Sequence, residues 1–167
     1  MSLTRHAILL AGALCAALAG AAVALADTRT SHDPSMHHPM GAMTDDPRQL
    51  VDFPPMMRRH TLANMRDHLL TVSEIQAALA AGKFDRAANL AEQRLGMTSL
   101  KLHGAHELSR YMPQGMRDLG TTMHRNASEF ALKAQAAGVS GDVRPALRAL
   151  ASVTRSCVAC HAAYRLH

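Results

Sequence analysis

The chain of 167 residues has no tryptophan, two tyrosines and three phenylalanines. Alanine, leucine and methionine are left to fill the interior. They favour helix, but a core made from them is thin unless something else adds bulk. No stretch alternates apolar and polar residues as a strand does. No Gly-rich phosphate loop, Ser-His-Asp set or paired carboxylate is evident, so the sequence gives no reason to expect an enzyme. Only three cysteines are present, and no second Cys-x-x-Cys pair exists to complete a tetrahedral zinc site.

What is there begins with Arg5 and an apolar run from Ala7 to Ala26, closed by Ala24-Leu25-Ala26 before Asp27. This reads as a cleavable secretory signal over residues 1–26, which predicts export to the periplasm and no stable membrane anchor after cleavage. Cys15 leaves with it. The remaining 141 residues suit one domain. They carry 17 Lys plus Arg against 13 Asp plus Glu, and two cysteines. So small an excess of positive charge, spread along the chain, does not argue for nucleic acid.

Residues 27–52 read as a flexible linker, because Pro and Gly interrupt them and no helical period appears. Between Ser31 and Met43 they are rich in His and Met. Such side chains suit copper, although a solvated tail is the plainer reading. From residue 53 to 167 the pattern is helical. Pro55 is well placed in a first turn. Leu62, Met65, Leu69, Val72, Ile75 and Leu79 then form a stripe at steps of three and four, and Gly82 stops it. Met57, Thr61 and His68 flank the stripe. A second helix is expected from about Asp85, with Ala88, Ala91 and Leu95 inside. Residues 104–112 read as a loop. A third helix is expected from Pro113 to Gly138, with Met116, Leu119, Met123, Ala127, Phe130, Ala134 and Ala137 inward. The last begins after Gly141-Asp142 and places Val143, Leu147, Leu150, Thr154, Cys157, His161 and Tyr164 on one line. The prediction is an all-α fold, an antiparallel four-helix bundle.

That last helix carries Cys157-Val158-Ala159-Cys160-His161, the spacing of a c-type haem attachment site. Each helical residue turns by about 100°, so both thiols and the imidazole project to one side. There a flat macrocycle can take two thioether bonds and an axial nitrogen. Cys157 and Cys160 are thus candidate covalent anchors for one haem c, and His161 is its candidate proximal iron ligand. A zinc or copper site without haem is the alternative of another class. A redox disulfide is a third, though it normally accompanies a βαβ pattern that is missing here.

Cys157-x-x-Cys160-His161-x-x-Tyr164-Arg165 at the end of a helical chain resembles the class II cytochromes c, the cytochrome c-prime family. The resemblance covers roughly residues 51–167. It implies an exported four-helix bundle with covalent haem, packed as a homodimer through its first two helices. It implies that Arg58 and Arg165 contact haem propionates and that Leu62 is the distal residue. The expected function is electron transfer with an unidentified redox partner protein. For that role Met57 or Met65 is the candidate sixth ligand, with His60 and His68 as further options. If Leu62 faces the iron instead, the alternative is a five-coordinate haem that binds NO or CO. His103, His106 and His124 fall on loops or off the inner lines and receive no role.

Overall fold

The computed structural model describes residues 46–166. The signal segment and the His/Met-rich stretch lie outside them. Pro55 opens the first helix, α1 (Pro55–Ala80), where its missing N–H costs nothing. The Ala81-Gly82 turn closes it, with Gly82 at φ +66. Next comes α2 (Phe84–Arg94). The residues after it tighten into a 3-10 turn (Met97–Leu100) and a short helix, α3 (Ala105–Ser109), entered through Gly104 at φ +62. The sequence pattern predicts a loop over 104–112, where α3 stands. The two longest later helices are α4 (Gln114–Ser140) and α5 (Arg144–Ala163). The described residues are therefore all-α in character, with five α-helices where the sequence predicts four. None of these helices is long and apolar enough to cross a membrane.

α1 packs on α2, α2 on α4, and α4 on α5, while α1 and α5 barely meet. The centre is built from small residues. Ala87, Ala88 and Ala91 of α2 and Ala127, Ala131, Ala134 and Ala137 of α4 are buried around Phe130, Ile75, Leu95 and Val153. Gly138 does not end α4 as the sequence suggests. A Cβ there would meet Phe84 at 3.4–3.9 Å, ordinary van der Waals contact, and the helix runs on through it to Ser140. Gly141, at φ +75, is the residue that stops the helix.

A short parallel pair forms outside the helices. β1 (Gln49–Leu50) lies beside β2 (Tyr164–Arg165), and Val51 N–H donates to the Arg165 carbonyl at 2.9 Å. The pair ties the approach to α1 to the residues just after α5. Val51 and Phe53, both buried, form a second small core there with Leu108 and Met116, against which Met57, Cys160 and Tyr164 pack.

Candidate functional site

The C-terminal turns of α5 place Cys157 and Cys160 half-buried, with neither in a disulfide. Cys157 packs against the main core and Cys160 against the second one. Burial pushes both thiols above their ordinary range, and for Cys160 the proximity of Cys157 adds to it. Reactive redox dithiols are shifted the other way. The inward line of α5 runs through Ala146, Leu150, Val153 and Ser156, not through Leu147 and His161 as the pattern predicts. Leu147 and His161 are exposed, and the two cysteines lie at the edge of the buried face.

Along its length α1 divides into two halves. From Val72 onward its predicted stripe is covered, and Ile75 and Leu79 are buried. In the first half the stripe is bare: Leu62 is 40% exposed, Met65 36% and Leu69 73%. The cause is rotational. Asp67 bridges to Arg94 of α2, and Met65 and Leu69, two residues either side of it, stand about 200° round the helix. They therefore lie on the flank away from α2, on a helix that α5 barely touches. Thr61 is buried in place of Leu62, and no partner among the described residues satisfies its hydroxyl.

Met57 alone of the two candidate methionines sits in the same apolar cluster as Cys160 and Tyr164. With Met56, His60, Gly104, Glu107 and Leu108 it also lines an open cleft between the start of α1 and α3. Arg58 is half-buried, and no ion pair or hydrogen bond among the described residues engages its guanidinium. Arg165 is half-buried and donates from Nε to the Arg48 carbonyl at 3.3 Å, with Asp46 3.8 Å away. Asp46 is held well below the usual carboxylate range, at about 2, chiefly by hydrogen bonds from Arg48. Two half-buried thiols one turn apart and an adjoining imidazole are a donor set that fits covalent haem. α1 carries a bare apolar flank of the kind that can lie against the face of a macrocycle.

Sequence reasoning missed a cluster of three imidazoles. His68 of α1, His103 of the turn after the 3-10 segment and His124 of α4 have ring centroids 4.6, 5.5 and 6.1 Å apart. His103 and His124 are 5% and 7% exposed. Burial pushes all three imidazoles below their usual range, and the neighbouring rings add to the effect on His68, which falls to about 4. A signal was present for one of them. His124 follows Met123 on α4, within the edge of its inward arc, whereas His103 lies in a stretch with no period to read.

Comparisons of this chain with family models, with curated proteins and with solved structures gave no match.

Proposed function

We propose that the protein is an exported c-type cytochrome that carries one covalent haem and transfers electrons. The observation that carries this reading is the pairing of Cys157-x-x-Cys160-His161 with the bare flank of α1. Apolar side chains as large as Leu62, Met65 and Leu69 in a row on one helix call for a cover. A flat apolar group bound at the two thiols would supply it. The raised thiols favour this over a redox disulfide, which needs a ready thiolate. The small-residue core and the glycine turns at Gly82 and Gly141, which reverse the chain between consecutive helices, support an antiparallel four-helix arrangement.

In this reading Cys157 and Cys160 hold the haem edge, His161 gives its imidazole to the iron, and Arg58 and Arg165 meet the propionates. Arg165 would share its guanidinium between a propionate and the Arg48 carbonyl, and Arg58 has no competing partner among the described residues. Bound haem supplies a one-electron couple. Met57 is the better-placed candidate for the sixth position, because it packs in the cluster that includes Cys160. A thioether there favours the reduced iron and raises the potential. Apolar neighbours such as Leu62 keep water out. The partner would be another redox protein, and a homodimer through α1 and α2 remains part of the proposal.

The test is the secreted protein from a host that matures c-type cytochromes. Its mass should exceed that of the bare polypeptide by one haem, and Cys157→Ala with Cys160→Ala should abolish the gain. A bare-polypeptide mass for the unaltered chain overturns the reading. Oxidised and reduced spectra with CO then separate its two forms. A low-spin spectrum indifferent to CO, turned high-spin by Met57→Ala but not Met65→Ala, is the expected result. A high-spin spectrum that shifts with CO assigns Leu62 to the distal side.

A further inference from the structure

We propose that His68, His103 and His124 form a second metal site, for a divalent first-row ion of the zinc and copper class, separate from the C-terminal motif. The site joins three elements: α1, the turn before α3, and α4. Its hydrogen bonds decide the tautomers. His124 Nδ1 lies 2.7 Å from the Leu95 carbonyl, which can only accept, so Nδ1 carries the proton and Nε2 keeps its lone pair. Ser99 spends its hydroxyl proton on the Gly96 carbonyl at 2.7 Å. Its oxygen, 3.4 Å from His103 Nδ1, is left to accept. His103 therefore also presents Nε2 as a free lone pair. Metal-ligating imidazoles are commonly fixed in this way, with the second ring nitrogen donating to a carbonyl or hydroxyl.

Two of the nitrogens have no partner among the described residues. His68 Nε2 and His103 Nε2 are buried without a hydrogen bond. Buried polar atoms are nearly always satisfied, and an unsatisfied pair side by side is a reason to ask for a ligand. The backbone around His103 is pinned as if its position matters. Asn64 Nδ2 donates to the His103 carbonyl at 3.0 Å, and His60 Nε2 lies 3.0 Å from the same oxygen. Gly104 follows at φ +62, and a Cβ there would come within 3.2 Å of the His60 ring.

The spacing matches the chemistry. A zinc–nitrogen bond of about 2.0–2.1 Å puts tetrahedrally placed imidazole centroids roughly 5.2 Å apart. The three observed separations, 4.6, 5.5 and 6.1 Å, bracket that value. As they stand, no three His, Cys, Asp or Glu side chains among the described residues converge on one point. Convergence on an ion requires the rings to reorient. Imidazole suits zinc, copper, nickel and iron, and a neutral ring is the ligating form. Burial already keeps these rings neutral.

The test uses the full exported chain, stripped with a chelator, with His32, His37 and His38 changed to Ser so that the N-terminal segment cannot bind. Zinc chloride is titrated by calorimetry at pH 7.5. One equivalent per chain is expected, with micromolar or tighter affinity, weakened at least tenfold by His103→Gln and by His124→Gln. His106→Gln, at an exposed position nearby, should bind as before. X-ray absorption at the zinc edge of the unsubstituted trio should show three imidazoles, and this readout does not depend on any variant folding. Saturation only at millimolar zinc, binding unchanged in the two Gln variants, or a first shell without imidazole overturns the proposal. If the chain is found without haem, the same titration is run with Cys157→Ala and Cys160→Ala, so that the C-terminal motif cannot bind zinc and the result is read apart from that of the cytochrome reading.

Discussion

Among the described residues, Arg94 is the cation that spans from α2 to two carboxylates of α1, and its removal should weaken the tie between these helices. Its guanidinium pairs with Asp67 and with Glu74, and Nε adds a bond to Asp67 at 3.3 Å. The side chains are 24%, 39% and 36% exposed respectively. Exposed pairs contribute about 0.2–1 kcal/mol each, and the fork on Asp67 puts that pair in the upper half. Arg94→Met, which keeps the aliphatic stem, should therefore cost about 1–1.5 kcal/mol. With a urea m-value of roughly 2 kcal/mol/M, the midpoint should fall by about 0.5–0.75 M. In 1 M salt, where screening acts over about 3 Å, the difference should shrink to less than half. Arg94→Lys should recover only part, because an ammonium cannot fork. The pH dependence has a defined sign. Arg94, chiefly by hydrogen bonding, holds Asp67 below its ordinary range. A carboxylate depressed by folding adds stability above its unfolded pKa and loses it as pH falls through the folded one. The gap between wild type and Arg94→Met should be full at pH 5 and above and fade below pH 4. A gap that is the same at pH 7 and pH 2, and the same in 1 M salt, would refute an electrostatic tie between these helices.

Three further outcomes are expected. Phe130→Ala, at a fully buried ring among alanines that cannot fill the space, should lower stability by about 3–5 kcal/mol in urea unfolding. Gly141→Ala should cost about 1–2 kcal/mol, from backbone conformation alone, since a Cβ there meets nothing within 4 Å; Gly141→Asn should cost less. Leu69→Gln separates a covered from an uncovered flank. At 73% exposure the polypeptide alone implies a change within about 0.5 kcal/mol, whereas in the haem-loaded protein a loss of about 1–2 kcal/mol is expected.

Much of the helical framework was legible in the sequence because its signals are local. Pro55 and Gly82 bound α1, and Met116 to Ala137 mark the inward face of α4, as the structure has them. The errors arise where tertiary packing decides. Gly138 looks like a stop, yet the helix runs through it and ends only at Gly141, which alone of the two has a positive φ. The stripe on α1 is continuous in sequence, but α2 covers one flank and the first turns of the other stay bare. β1 and β2 are two residues each and pair across the whole domain, so no local alternation announces them. The Cys157-x-x-Cys160-His161 motif could be read at sight, whereas the grouping of His68, His103 and His124 depends on three segments meeting.

The pairing of Gln49 with Tyr164 sets an order of events. The strand that precedes α1 has no partner until the last residues of the domain have emerged, so this clasp must be among the final contacts to close. Cys157 and Cys160 emerge before it. While the ends are still apart, Cys160 lacks the Val51 and Phe53 cluster that it packs against, and once they meet both thiols are half-buried.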